Sequence, residues 1–277
     1  MNARSFLVVD SRLRNRMLNE GRRIHPARWQ GLDVRDRQEA EMVELLNVDF
    51  NIDLRGIESL DHWRTECQPN VPWADEHFEE RVSGYPHNPP PSWVRWPWAN
   101  SASTFRAGEK FNHTYPERYW PKQAGDAAPS GGNYGLRGWY GDLSDVVELL
   151  RRDPLTRQAY LPIFFPEDTG VGDGGRKPCT LGYQFIVRPD DDGRHRLHIF
   201  YPMRSCDLLR HFRDDCYLTV RLGLWMLEQL RAGDDHGSWF DVTPGSLQMH
   251  MTSLHCFIGD FLLLRSEQEG LLLKALS

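Results

Sequence analysis

Two stretches of the chain carry most of its chemical character. Residues 177–185 read KPCTLGYQF, and residues 204–217 read RSCDLLRHFRDDCY. Residues 180–188 are rich in aromatic and β-branched side chains and residues 196–201 (RLHIFY) alternate, so each stretch is predicted to adjoin a strand. Together they bring a thiol, a fixed cation and several carboxylates to neighbouring strands. This combination suits covalent attack on an electron-poor ring that carries a phosphate.

The composition is that of a soluble globular protein. Of 277 residues, 40% are hydrophobic and 26% are charged, which is ordinary for this class. The net charge of −6 argues against a general nucleic-acid binder. No apolar run approaches the ~20 residues of a membrane helix, and the N-terminal apolar stretch is too short for a signal peptide. Five cysteines without framework or zinc-ligand spacing favour a cytoplasmic protein and predict no metal site.

Several elements are predicted from periodicity and capping signals. Residues 143–152 form an amphipathic helix, with Asp142 or Ser144 as its N-cap and arginines in its last turn. Residues 75–82 and 217–232 are also predicted to be helices, the second of them in the core. Residues 35–50 are interpreted as a helix that runs into a strand. A Gly/Ala/Pro-rich insert near 124–138 is predicted to be a mobile loop within a single domain spanning 1–277.

These motifs resemble the thymidylate synthase family. A Pro-Cys before a Gln-Phe strand, followed one strand later by Arg-Ser-x-Asp, is similar to the core signature of that family. A third segment, DPLTRQA at 153–159, resembles its phosphate-binding segment. The resemblance runs from about Tyr115 to His250. It implies an α+β thymidylate synthase-like fold, in which helices flank a mixed β-sheet, and an obligate homodimer.

Cys179 is the predicted nucleophile. Addition of a thiolate to C6 of a pyrimidine puts electron density on C5, which is otherwise a poor nucleophile. Arg204, at the end of the adjacent strand, could favour the thiolate of Cys179 and also bind a phosphate, because nearby positive charge lowers a thiol pKa. For Cys206 and Cys216, a buried apolar role is the better interpretation.

Two further catalytic residues follow from the resemblance. It places a tyrosine, here Tyr115, near the catalytic cysteine. It also implies a glutamate, on a helix in the N-terminal third, that orders water and shuttles protons. Glu80 is the candidate for this role, and the alternative is that Glu80 is a surface carboxylate.

A phosphate needs several donors, and Arg157, Arg204 and Ser205 are the candidates. In the family the arginine at position 157 comes from the neighbouring subunit. A second arginine stands next to it there, whereas this chain has Gln158, which leaves open which residue compensates. Arg28, in the basic N-terminal segment, either reaches the phosphate as well or belongs to a solvated face.

The base and sugar contacts depart from those of thymidylate synthases proper. Thymidylate synthases have an asparagine that contacts the base, and counting from Asp207 places this position at Asp215. In the family, an aspartate at this position is found in enzymes that act on cytosine nucleotides, the cytidylate and deoxycytidylate hydroxymethylases. A slip of one residue would make Asp214 the reader. Gln248 and His250 fall where the family has the His-x-Tyr that reads the 3′-hydroxyl, and these different donors leave open a ribonucleotide.

The resemblance implies 5,10-methylenetetrahydrofolate as the one-carbon donor, with Asp207 bonding its pterin. His211 replaces a family glycine and could change how the exocyclic methylene intermediate is quenched. Trp96 or Trp98 either lines a folate pocket or packs the core.

The expected function is that of a C5 hydroxymethyltransferase acting on CMP or dCMP through a covalent Cys–C6 adduct. One alternative is C5 methylation of dUMP or dCMP. Another is a non-catalytic nucleotide-binding protein, against which the intact Cys179, Arg204 and Asp207 argue. The expected partners are a nucleoside monophosphate and a second copy of the chain, with no nucleic acid and no membrane.

Overall fold

A mixed β-sheet flanked by helices forms the centre of the structure. The computed structural model describes residues 1–102, 106–124, 141–170, 175–234, 239 and 241–276. Almost all of the insert predicted near 124–138 lies outside the described residues. Within these ranges, no helix is long and apolar enough to cross a membrane.

The strands of the described part are β1 (Asn2–Ala3), β2 (Arg22–Ile24), β3 (Arg28–Trp29), β4 (Leu32–Asp33), β5 (Met42–Asp53), β6 (Arg106–Ala107), β7 (Lys110–Phe111), β8 (Tyr160–Pro162), β9 (Gly182–Pro189), β10 (His195–Asp207) and β11 (Thr243–Phe257). Its α-helices are α1 (Phe6–Glu20), α2 (Leu60–Cys67), α3 (Trp73–Val82), α4 (Ala99–Ala102), α5 (Tyr115–Tyr119), α6 (Leu143–Arg152), α7 (Phe212–Ala232) and α8 (Ile258–Leu276).

The main sheet has the strand order β1-β5-β11-β10-β9-β8, and β2 also pairs with β5. Strands β10 and β11 run parallel, as do β1 and β5, and the other pairings are antiparallel. The β10–β11 register places Ser205 beside Ser253 and Asp207 beside His255. The parallel pair therefore carries these polar side chains to the same edge of the sheet.

One face of the sheet is buried and the other is open. Along β9 the alternate residues Tyr183, Phe185 and Val187 are fully buried, whereas Gln184 and Ile186 between them are half-buried. The same alternation holds along β5, β10 and most of β11. Helix α7 packs on the buried face so closely that a Cβ at Gly223 would overlap the Ile199 side chain. The mixed sheet with flanking helices is thus the one that was predicted.

Most of the predicted elements are found, and one prediction is wrong. Helix α6 is capped by the Asp142 carboxylate, which accepts from the backbone of Ser144 and Asp145. In the segment 35–50 the predicted strand is found as part of β5, which begins at Met42, but the predicted helix is wrong, because only a 3-10 turn at Gln38–Ala40 precedes the strand. Sheet pairing on both sides of β5 overrides the weak helical spacing.

Candidate active site

A cavity of about 620 Å³ opens at the end of the sheet where β10 and β11 carry their polar side chains. Its walls come from the β3–β4 hairpin, from helices α3, α5 and α7, and from the segment that precedes β9. Several predicted residues meet there, and the cavity is lined by Arg28, Tyr115, Cys179, Arg204, Ser205, Asp207, His211 and Asp215. Residues that are far apart in sequence are thus brought to one site.

Arg204 holds the Cys179 segment in place. Its Nε donates to the Pro178 carbonyl at 2.7 Å and its Nη2 to the Lys177 carbonyl at 2.8 Å. The same Nη2 lies 3.8 Å from the Cys179 Sγ, and the backbone NH of Arg204 donates to the Cys179 carbonyl at 2.9 Å. The half-exposed thiol therefore lies beside a cation that hydrogen bonds to two backbone carbonyls hold in place.

A hydroxyl chain runs behind the thiol. The Thr180 Oγ1 lies 2.9 Å from the Tyr115 hydroxyl and 2.9 Å from the Tyr201 hydroxyl. A Thr114–Glu117 capping box begins the short helix α5 and fixes the start of the turn that carries Tyr115. Burial first, then the neighbouring Cys179, raises the pKa of Tyr115 to about 12. The phenol therefore stays protonated and can serve as a donor near Cys179.

Arg81 places a buried positive charge at the base of the cavity. Its side chain is 4% exposed, and its guanidinium lies 4.1 Å from the centroid of the Tyr115 ring. Burial acts to lower the pKa of Arg81, but the surrounding tyrosine hydroxyls raise it above its ordinary value. The cation faces the same space as Asp215 and lowers the pKa of that carboxyl against burial.

Adjacent aspartates at the start of α7 have different partners. The Asp214 carboxylate accepts from the backbone and the side chain of Asn70, at 2.8 and 2.7 Å. The Asp215 Oδ2 accepts a weak contact from the Cys206 thiol at 3.6 Å and lines the cavity. Asp214 is thereby held in a structural role, and Asp215 is the better candidate to contact a bound base.

Burial raises the pKa of Asp215 to about 7, from an ordinary value of 3.8. The native state then binds more protons than the unfolded chain between these values, so stability falls as the pH rises from about 4 to 7. We expect Asp215→Asn, which does not titrate, to raise Tm relative to the wild type by a few degrees at about pH 8. The difference will be smaller at about pH 5, where native Asp215 is mostly protonated.

Thermal unfolding of the ligand-free protein at both pH values measures this difference. Glu79→Gln, at an exposed carboxylate, serves as the control for a general change of net charge. A Tm difference between Asp215→Asn and the wild type that does not change with pH would contradict the buried, proton-binding Asp215.

Asp207 and His211 line the cavity on the side where aromatic rings are found. The Asp207 Oδ1 accepts from the backbone of Leu209 and Arg210, both at 3.0 Å, and burial raises the pKa of this carboxyl to about 6. His211 stacks on Trp96, with ring centroids 5.6 Å apart. Burial, followed by the nearby Arg176, lowers the pKa of His211 to about 3, so the ring is neutral at neutral pH.

Several cationic side chains line the same cavity as Cys179. Besides the predicted Arg28 and Arg204, the cavity is lined by Arg176 and Lys177. With Ser205, these cationic side chains line a cavity that suits an anionic ligand.

Glu80 does not line the cavity, which corrects its expected placement. Helix α3 instead turns His77 and Arg81 toward the cavity, because residues four apart share one helix face. Glu80 lies behind His77 and accepts from it and from Ser92. The four-residue spacing of His77 and Arg81 was the signal in the sequence that could have identified both.

Gln248 and His250 do not reach the cavity either. Gln248 is exposed, and the His250 Nδ1 lies 2.8 Å from an Asp49 carboxylate oxygen. The β10–β11 register pairs them with Phe200 and Pro202, well before the strand ends. At about 3.3 Å per residue, His250 is roughly 16 Å along β11 from His255. Ser253 and His255 line the cavity in their place, and the His255 Nδ1 lies 3.3 Å from the Ser205 hydroxyl.

Arg157 is also outside the cavity. It is exposed, and its backbone carbonyl accepts from the Gln184 side chain at 3.0 Å, on the open face of the sheet. The side chain of Arg157 therefore lies at the protein surface.

In comparisons with known proteins, no family model matches the chain and no curated protein matches it. What the chain does is therefore inferred from the geometry of this cavity and from the chemistry of its residues.

Proposed function

We propose that the protein is a pyrimidine-nucleotide C5 hydroxymethyltransferase that acts on CMP or dCMP. The observation that carries the proposal is the convergence of Cys179, Arg204 and Asp215 in one cavity. A thiol beside a fixed cation supplies the nucleophile for C6. A buried carboxyl that exchanges its proton near neutral pH supplies the contact to the base.

The cysteine chemistry follows from the contacts around Cys179. Its sulfur, 3.8 Å from the Arg204 guanidinium, adds to C6 as thiolate and makes C5 nucleophilic. The negative charge that develops on the ring is stabilised by a proton held between Asp215 and N3. C5 bonds to the one-carbon unit and loses its proton to solvent, and the bond from that carbon to its carrier then breaks, which leaves a methylene group double-bonded to C5. Water adds to this methylene, and expulsion of the thiolate from C6 restores the C5–C6 double bond. The hydrogen bond between the Tyr115 hydroxyl and Thr180 holds the cavity wall next to Cys179 in place.

The residues of the cavity fit 5,10-methylenetetrahydrofolate, the donor that the resemblance implies. The cavity has an indole-rich wall that includes Trp73, Trp96 and Trp98, which suits a flat fused ring. Asp207 is a buried carboxyl with a raised pKa, and it would hold the polar edge of the pterin. When bound, the folate supplies an electrophilic one-carbon unit.

The open sheet face supports the homodimer that we propose with this function. Its half-buried side chains include Ile186, Phe200 and Pro202. A second copy packed there would bury apolar area. It would also meet Arg157, whose backbone is held to this face by Gln184. We propose that Arg157 completes the phosphate site of the partner subunit.

Incubation of the protein with methylenetetrahydrofolate and, separately, CMP, dCMP, UMP and dUMP tests the function, with mass spectrometry of the products. We expect CMP or dCMP to gain a hydroxymethyl group. A methyl product would favour the methyltransferase alternative. Nucleotide binding without any product would favour the non-catalytic alternative, and either result would overturn the proposal.

Arg157→Ala tests the shared site. We expect the variant to bind nucleotide about 1.5 kcal/mol, or roughly tenfold, more weakly, because a charged hydrogen bond to the phosphate is lost. Mixing it with Cys179→Ser should restore activity, since one site of each hybrid dimer then keeps both wild-type residues. Subunit exchange is verified by differential tagging. If hybrids form and activity does not recover, Arg157 does not act across the interface.

A further inference from the structure

His77 is a cavity residue that neither the cysteine chemistry nor the base contact uses. It lies on α3 one turn before Arg81, and both side chains line the cavity. Its ring stacks on Trp73, with centroids 5.1 Å apart and an interplanar angle of 15°. The Tyr115 ring lies nearly perpendicular to it, with centroids 6.5 Å apart. The imidazole is therefore fixed on the same wall as the hydroxyl chain behind Cys179.

The contacts of Glu80 determine which nitrogen of His77 carries the proton. The Glu80 carboxyl group accepts from the Ser92 backbone NH at 2.5 Å and from the Ser92 hydroxyl at 2.6 Å. Burial acts to raise the pKa of Glu80, but the hydrogen bonds from His77 and Ser92 lower it overall. Glu80 is therefore an ionised acceptor, so the His77 Nδ1, 3.3 Å from Oε2, is the donor. This leaves Nε2 of the neutral ring with a lone pair.

The charges around His77 keep the ring neutral. Burial first, and then Arg81 on the same helix, lower its pKa to about 4, whereas Glu80 opposes this shift. From α5, Tyr115 faces the ring as a protonated phenol. At neutral pH the lone pair is thus available, and Glu80 compensates the charge when the ring accepts a proton.

We propose that His77, oriented by Glu80, is the base that activates the water which delivers the hydroxyl group of the product. This inference rests on the proposed hydroxymethyltransfer and deepens it. His77 Nε2 takes a proton from the water as the water oxygen bonds to the exocyclic carbon on C5. The π electrons of that exocyclic bond move into the ring, and they then restore the C5–C6 bond as Cys179 leaves as thiolate. The proton on His77 passes to solvent.

The inference is tested with His77→Phe, His77→Gln and Glu80→Gln. Three quantities are measured for each variant: hydroxymethyl product formation, folate-independent hydrogen–deuterium exchange at C5 of CMP or dCMP, and the Kd of the nucleotide. Exchange at C5 reports addition of Cys179 without the water step. Glu79→Gln is the matched control, because Glu79 neighbours Glu80 on α3 and has a side chain that is 67% exposed.

We expect both His77 variants to lose about a hundredfold or more of product formation, the usual size of a general-base effect. Exchange at C5 and the nucleotide Kd should stay within about threefold of wild type, since these do not use the base. Glu80→Gln should lose roughly tenfold, and nitrogen NMR of labelled His77 should show a changed tautomer. Glu79→Gln should match the wild type.

Product formation near the wild-type rate in His77→Gln would overturn the role of His77. Parallel losses of product, exchange and binding in both His77 variants would also overturn it, because they would indicate a structural role. If the wild type itself showed neither exchange nor product, the proposed function would fail, and this inference with it. That outcome is distinct from an active wild type whose His77 variants are equally active.

Discussion

Cys179→Ser will abolish chemistry at C5 and leave nucleotide binding intact. Serine is nearly the same size, so Arg204 keeps its hydrogen bonds to the Lys177 and Pro178 carbonyls. The proposed phosphate and base contacts do not involve the thiol. An alkoxide, however, forms far less readily at neutral pH than a thiolate. We expect both product formation and C5 hydrogen exchange to fall by at least about a hundredfold.

The measurement compares C5 exchange with the nucleotide Kd from calorimetry. Cys67→Ala is the control, because Cys67 is buried at the end of α2 and its thiol has a raised pKa owing to burial. It should retain wild-type exchange. A serine variant that turns over at more than roughly a hundredth of the wild-type rate would show that Cys179 is not the nucleophile.

Local sequence signals predicted most of the local elements correctly. The amphipathic pattern of 143–152 and its Asp142 cap correspond to α6, because the cap and the apolar stripe lie within one short segment. The helix predicted at 75–82 begins two residues earlier, at Trp73. The KPCTLGYQF segment indicated the cysteine and its strand for the same reason, since every residue involved is close in sequence.

Residue positions that depend on pairing between distant strands could not be predicted from local sequence. The register of β10 and β11, and not the spacing of a motif, brings His255 beside Asp207 and leaves His250 far down the strand. Likewise, the orientation of α3 against α5 and α7 determines that His77 faces the cavity and Glu80 lies behind it. Motif spacing identified Asp215, but it took the contact between Asp214 and Asn70 to favour Asp215 over its neighbour.

Asp215→Asn will shift the base preference from cytosine toward uracil. Neutral cytosine offers an acceptor at N3 and a donor at N4. A protonated carboxyl donates to N3 and accepts from N4, and a carboxylate makes the same pair with cytosine protonated at N3. Burial holds the pKa of Asp215 at about 7, so both forms are accessible at neutral pH. The buried carboxyl is therefore matched to cytosine in either protonation state.

Uracil offers the reverse pattern, a donor at N3 and an acceptor at O4, which an asparagine amide matches with its oxygen and its nitrogen. Each group left unpaired in a buried site costs about 1–3 kcal/mol. A carboxylate accepts from the uracil N3–H but leaves O4 without a donor, and an asparagine amide matches cytosine only when it is turned over. We therefore expect the ratio of kcat/KM for cytosine over uracil nucleotides to fall by at least about tenfold, or ~1.4 kcal/mol. The ratio measures discrimination, so a general loss of activity does not affect it.

The measurement uses CMP, dCMP, UMP and dUMP with the wild type, Asp215→Asn and Asp214→Asn. Asp214 is already bonded to Asn70 by two hydrogen bonds, so Asp214→Asn should cost stability and leave the ratio unchanged. If Asp214→Asn shifts the ratio and Asp215→Asn does not, the base reader is Asp214. If neither variant shifts it, the base is recognised elsewhere in the cavity, and the preference for cytosine loses its physical basis in Asp215.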